Sequence, residues 1–281
     1  MRGSRVKVVV LLTLVLLVGL VPLVLFRWLE EMSMERGAGL SESVELWKWR
    51  APSGGERSIK ALSSSMRWFA ARQEDVENQC GKWSLNEDQL DKVQLGNSLS
   101  SFEVQGHRLE LRSSGSDFWD MTDSGSFVFF QREFREEDSL FFMAKVKFNA
   151  GTKPDHFWAK SGLMVRARAE EPNSQHFAVV VTPYRKVITQ WRDEKGGFCD
   201  HLAPKEPGQW LMVYLEAGMA TALSSDDGNE WFVLQTKRLF FAEQGFHVGF
   251  MASSHQPSAF VSVTFTNVRL CVASQKAKLL V

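Results

Sequence analysis

Aspartates, histidines and tryptophans are the residues of this chain whose types and spacing could do chemistry. Asp226, Asp227 and Asn229 share one short loop and offer oxygen ligands for Ca²⁺. The Asp-x-Asp-x-Asp-Gly run with a distal Glu that such a site requires is absent. Asp227-Gly228 is instead a turn signal, because glycine tolerates positive φ. It lies between the apolar runs 210–223 and 231–234, so it predicts a hairpin whose second strand opens on Trp231. The six histidines, at 107, 156, 176, 201, 247 and 255, show no metal-ligand spacing. His176 and His247 fall inside strand-like runs and read as ordinary sheet positions, whereas His156 and His201 fall in loops. No Gly-x-Ser-x-Gly, P-loop or dinucleotide fingerprint is present. The sequence therefore predicts no metal and no cofactor.

Tryptophan offers a different chemistry. An indole gives a flat face for the C–H groups of a sugar ring and a polar edge for a hydrogen bond. Trp210 and Trp231 open strands and read as core. Trp158 lies in a loop-like stretch with Asp155 and His156, and Trp191 is followed by Arg192 and Asp193. With Trp119 and Arg166 these give the candidate ligand-facing set: Trp119, Trp158, Trp191, Arg166, His156 and Asp155.

The elements that must position these residues are mostly strands. Phe and Trp number 21 and 10 against 2 Tyr, a bias that suits half-buried strand surfaces. About a dozen short apolar or alternating runs recur between turn signals from Lys82 to Val272. In Val261-Ser262-Val263-Thr264-Phe265-Thr266 apolar residues alternate with hydroxyls, one face in and one out. No long helical pattern lies between these runs, so the expectation is an all-β sandwich. Lys plus Arg equals Asp plus Glu at 33 each, which gives no support to nucleic acid as a partner.

The N-terminal part differs. Val8 to Phe26 is 19 residues without a charge, about 28 Å as a helix, which suits the hydrocarbon core of a bilayer. Arg2, Arg5 and Lys7 precede it and Trp28 follows. These features predict an uncleaved anchor over 1–29 with a cytoplasmic N-terminus and the large domain on the far side. A cleaved secretory signal and a mitochondrial inner-membrane location are the alternatives. Residues 30–79 read as a linker. Within it Ile59, Leu62, Met66 and Phe69 form a helical stripe over 57–76, flanked by Arg57, Lys60, Arg67 and Arg72. Such a helix either packs on the globular domain or lies on a membrane or partner.

Several motifs in order carry a family resemblance. Asp117-Phe118-Trp119-Asp120-Met121-Thr122, Ser161-Gly162-Leu163-Met164-Val165-Arg166, the hairpin Ser225-x-Asp227-Gly228-x-x-Trp231, Phe246-His247-Val248-Gly249-Phe250 and Val263-Thr264-Phe265 together resemble a concanavalin A-like domain. The similarity is to the domain of unknown function found in regulation-of-enolase-type proteins. There are departures: Ala159-Lys160 replaces the family's Asp-Gln, and Gln190-Trp191-Arg192 replaces its Ser-Asp-Trp-Ser stretch. The resemblance implies a two-sheet jelly roll over 80–272, a tail over 273–281, and a concave face of the kind related folds use for glycans. Glucanases of that superfamily carry Glu-x-Asp-x-x-Glu, which sets acid and nucleophile about 5 Å apart. Here Glu136-Glu137-Asp138 begins the pattern but Phe141 ends it. A non-catalytic, membrane-anchored glycan-binding module is the leading expectation. An accessory subunit of a membrane complex and a glycoside hydrolase with a non-standard acid pair are the alternatives. First and last strands of a closed sandwich often neighbour, so in an oxidising compartment Cys80 and Cys271 would be bridged, with Cys199 left over.

Overall fold

The computed structural model describes residues 48–50, 85–149, 156–183, 187–202, 208–228 and 230–274. The segments read as anchor and helix, with Asp155 and Cys80, lie outside the described residues. Among the described residues no helix is long and apolar enough to cross a membrane.

The described chain is all-β. In order its strands are β1 (Lys48–Arg50), β2 (Leu90–Leu95), β3 (Ser100–Gln105), β4 (Arg108–Gly115), β5 (Asp117–Trp119), β6 (Thr122–Phe130), β7 (Asp138–Phe148) and β8 (Lys160–Arg166). They continue with β9 (His176–Val181), β10 (Val187–Arg192), β11 (Asp200–Leu202), β12 (Trp210–Glu216), β13 (Met219–Ser225), β14 (Glu230–Arg238), β15 (His247–Ser253) and β16 (Gln256–Ser274). One sheet runs β1-β14-β13-β12-β7-β16-β4-β3. The second runs β11-β10-β9-β8-β15-β6-β2, with β5 paired to β6. Every pairing is antiparallel. Four strands escaped the sequence reading: β1, β2, β5 and β11. Of these, β1 lies inside the segment read as linker and adds an edge strand, with Trp49 in register with Trp231.

Alternation of side chains sorts the residues into three apolar clusters. The largest fills the space between the sheets and includes Phe142, Ala144, Leu163, Val165, Phe177, Val179, Leu211, Val213, Phe250 and Phe265. The residues one position along point the other way. Phe141, Met143, Met212, Tyr214, Leu223, Trp231 and Cys271 form a second buried cluster on the outer face of the first sheet. Leu95, Phe118, Phe127, Phe129, Met164, Ala178, Val180, Ile188 and Met251 form a third on the outer face of the second sheet.

The predicted hairpin is β13–β14. Gly228 has φ of 80° and its amide donates to Ser225 Oγ at 2.9 Å. A Cβ there would meet the Trp210 ring at 2.8 Å, so both conformation and space call for glycine. Trp231 is buried, as expected of a strand opening. Cys271 is disulfide-bonded and Cys199 is a free thiol.

Candidate functional site

The site is built on the outer face of the second sheet, where a short hairpin lies across the strands. It joins β5 to β6 through Asp120 and Met121, with Trp119 opposite Thr122 and Asp120 at φ of 48°. The Phe118 ring is fully buried against the sheet. It fits because Gly125 has no side chain: a Cβ there would stand 2.2 Å from Phe118 Cε2.

Polar side chains of β8 and β10 hold this hairpin almost residue by residue. Lys160 Nζ pairs with Asp117 Oδ1 at 2.7 Å. Gln190 Nε2 donates to the Phe118 carbonyl at 2.8 Å. Arg192 Nη2 donates to the carbonyls of Trp119 and Asp120 at 3.2 and 3.0 Å. The Cys199 amide donates to the Asp120 carbonyl at 3.2 Å.

Asp123 closes the hairpin and anchors it. Its Oδ2 accepts from Arg166 Nη1 at 2.6 Å and Arg192 Nη1 at 2.9 Å, and its Oδ1 accepts from Arg192 Nη2 at 2.7 Å. All three side chains are 0% exposed. Buried charges of this kind survive only when paired and fully hydrogen-bonded. The remaining guanidinium donors do find carbonyls: Arg166 reaches Arg168 and Glu171, and Arg192 reaches Ser174 and Gly197. Burial pushes the Asp123 carboxyl up, but Arg166, His176 and Arg192 outweigh it and hold it below the ordinary carboxylate range.

His176 and Cys199 complete the cluster, with His176 Nε2 at 3.7 Å from Cys199 Sγ and Nδ1 at 3.8 Å from Asp123 Oδ2. The order Cys–His–Asp suggests a nucleophile and its base. The electrostatics oppose it. Burial pushes His176 down to about 3, and burial pushes the Cys199 thiol up to about 12. The pair is therefore neutral imidazole against neutral thiol, not imidazolium against thiolate. The ligand atoms of Asp123, His176 and Cys199 also lie within 4.8 Å of one another. They do not suit a cation, because both Asp123 oxygens already face guanidinium groups. The cluster fastens the hairpin to the sheet.

Above it the surface changes character. The Lys160 ammonium lies 5.6 Å from the Trp119 ring centroid and 6.0 Å from that of Trp158. Trp119 also meets His201 edge-on at 5.2 Å. On the other side of Asp117, His255 Nδ1 lies 3.1 Å from Oδ2, and the His255 ring stacks on His156 at 4.0 Å. His156 in turn stacks on Phe157, whose ring is 5.5 Å from Trp158. Burial pushes His156 down, helped by His255, and burial pushes His201 down as well. Burial pushes the Asp117 carboxyl up, but Lys160 and His255 hold it low. The polar centre of the patch is thus the Asp117 carboxylate, held between Lys160 and His255 and bordered by aromatic rings.

Three of the predicted residues come together here: Trp119, Trp158 and His156. Two do not. Arg166 is fully buried in its pair with Asp123 and presents nothing to a ligand, because its strand position puts it under the hairpin. Trp191 points to the opposite face of β10 from Gln190 and Arg192, packs at the margin of the inter-sheet core, and lies under Lys237 at 4.8 Å. The sequence reading missed Asp117, Asp123, Lys160, Gln190, Arg192, His176, Cys199 and His255. One signal for several of them was available. Lys160, Arg166 and Arg192 sit on strands that otherwise read as core, so each demanded a buried partner.

No family model matches the sequence, and a search of curated proteins returns no match. Solved structures with a similar chain path include a functionally unknown protein from Saccharomyces cerevisiae, with 18% identity over 65% of this chain and 96% of that one, at a TM-score of 0.49. Arcelin-5, a lectin-like defense protein from Phaseolus vulgaris, shows 9% identity over 68% of this chain and 95% of that one, at 0.45. A GH43 protein from Bacillus licheniformis shows 13% identity over 68% of this chain and 40% of that one, at 0.46.

Proposed function

We propose that this chain is a concanavalin A-like sandwich that binds neutral carbohydrate on the outer face of its second sheet and does no chemistry there. The observation that carries the reading is the pair of half-buried indoles, Trp119 and Trp158, set around the single ammonium of Lys160. Two flat apolar faces beside a self-neutralised polar pair suit a sugar ring, with C–H groups on the indoles and hydroxyls on Asp117, Lys160 and the imidazole edges. The two carboxylates that fasten the hairpin, Asp117 and Asp123, are held ionised by cations. Glycoside hydrolysis needs one carboxyl kept protonated, so neither of these suits the acid role. The apolar run 8–26 would tether this module to a membrane, and the disulfide at Cys271 fits an oxidising compartment on its far side.

A glycan array probed with the full-length protein in mild detergent tests this. Binding confined to neutral sugars supports it. Binding only to sulfated or sialylated glycans would move the site elsewhere, since the Lys160 ammonium of this patch is already paired with Asp117. A second reading, an accessory subunit docking by the same face, draws on exposed apolar side chains near the hairpin tip, namely Met121, Phe157 and Phe198 at 51, 46 and 73% exposure. Co-purification of a stoichiometric membrane partner, lost on Phe198→Ser, would favour it.

A further inference from the structure

Four rings of the site stand in file from the hairpin to the second indole: His255, His156, Phe157 and Trp158. His255 Nδ1 lies 3.1 Å from Asp117 Oδ2, and its ring stacks on His156 with centroids 4.0 Å apart and planes 20° apart. His156 stacks on Phe157 at 4.9 Å and 18°, and Phe157 meets Trp158 at 5.5 Å. The near end of the file is fixed by the turn between β15 and β16. There His255 takes φ of 60° and its amide donates to Ser253 Oγ at 3.4 Å. Histidine is enriched among the non-glycine residues that adopt this left-handed conformation.

The two imidazoles face opposite partners. His255 faces a carboxylate, which accepts. His156 Nδ1 faces the backbone amide of Trp158, which donates to it at 3.2 Å. An amide N–H only donates, so His156 Nδ1 is the bare nitrogen and the proton of the neutral ring sits on Nε2. A second proton enters only at Nδ1, where it sets N–H against N–H at the contact that ties the Trp158 backbone. Among the described residues the titratable groups facing His156 are His255, from the β15–β16 turn, and Asp117, from β5. Lys160, from β8, reaches the Trp158 ring at 6.0 Å. Burial holds His156 low, His255 adds to that, and Asp117 works against both. Trp119 is fastened differently: its carbonyl accepts from the Arg192 guanidinium at 3.2 Å, and a guanidinium keeps its proton at any ordinary pH.

We infer that His156 is the positioning residue for Trp158: its bare Nδ1 holds the Trp158 amide, and protonation there frees the indole, so that acid loosens the ligand. The site then has one indole on a permanent fastening and one on a titratable fastening. The inference rests on the carbohydrate reading for the nature of the ligand, whereas the release of Trp158 is a property of the chain alone.

The test is fluorine NMR of the full-length protein in mild detergent, labelled with fluorotryptophan, from about pH 7.5 to about pH 4.5. Trp158→Phe assigns the resonance. Asp117 stays ionised over this range, because its carboxyl is held below 3.8. With no sugar present, the Trp158 resonance should move with a midpoint below 6.5, the ordinary histidine value. His156→Asn should remove that movement, since an Asn side-chain oxygen accepts from the amide two residues on and does not titrate. His156→Ala should leave the resonance at its acid position at every pH. In parallel, a neutral glycan found on the array should bind wild type at least about tenfold more weakly at the acid end, in the range of one stacking contact. His156→Asn should lose less than about threefold over the same range, whatever its affinity at neutral pH. A Trp158 resonance that does not titrate, or that still titrates in His156→Asn, overturns the inference. So does glycan binding that stays constant while Trp158 moves. A Trp158 that titrates as stated in a protein that binds no glycan at any pH upholds the release and overturns the carbohydrate reading instead.

Discussion

The two outer faces of this sandwich are lined by opposite chemistries. On the second sheet a hairpin of a few residues is fastened by charge: Asp117 to Lys160, Asp123 to Arg166 and Arg192, and three successive backbone carbonyls to Gln190 and Arg192. On the first sheet the outward side chains are Phe, Met, Leu and Trp. An apolar face accepts any cover of suitable shape, because burial is non-directional. A face of paired charges accepts one cover in one register, because each donor needs its acceptor. The comparison explains why the ionic face can hold Trp119 at a fixed place beside Trp158. Its directional bonds serve positioning, while the apolar face offers burial without a fixed register.

The largest effect should come from Asp123. Replacing it with Ala leaves two buried guanidiniums without a counter-charge and should cost about 3–5 kcal/mol, read as a shift in the urea midpoint. On the other face, Leu223→Ala should cost about 3 kcal/mol through lost burial and a residual cavity. That loss should be the same at pH 7 and pH 5, where the ionic face is not.

The pH dependence separates the two faces further. His176 is held down to about 3 when folded, against 6.5 ordinarily. The unfolded chain therefore binds the extra proton first, and stability falls as pH drops from about 6.5 toward about 3. The lowered carboxyls of Asp117 and Asp123 act in the same direction at the acid end of that window. His176→Gln should flatten the Tm-against-pH curve between pH 6.5 and 4, whatever it does to Tm at neutral pH. The smallest effect should be that of Cys199→Ser, below about 1 kcal/mol. The native thiol, pushed up to about 12 by burial, should react with iodoacetamide at pH 8 far more slowly than free cysteine.

Much of the fold was legible because alternation is local. The run Val261 to Thr266 and the Asp227-Gly228 turn each carry their structure within a few residues. The ionic fastening was not legible in that way. Asp123 lies 43 residues from Arg166 and 69 from Arg192, so no spacing rule links them. Arg166 was read as part of a ligand-facing set, but it lies on an apolar strand, and the cost of an unpaired buried charge there indicates a buried partner. Trp191 was misplaced for a simpler reason. It shares β10 with Gln190 and Arg192, and neighbours on a strand face opposite ways. Strands β5 and β11 have three residues each, too few to show a period.

The most direct test of the account is a side-by-side binding titration with a neutral glycan found on the array. Full-length wild type would be compared with Trp119→Ala, Trp158→Ala and Trp191→Ala, each checked for an unchanged Tm. The account predicts that the first two lose binding at least about tenfold, in the range of one stacking contact, while Trp191→Ala binds as wild type. Binding that survives in Trp119→Ala and Trp158→Ala, or disappears in Trp191→Ala, would contradict it.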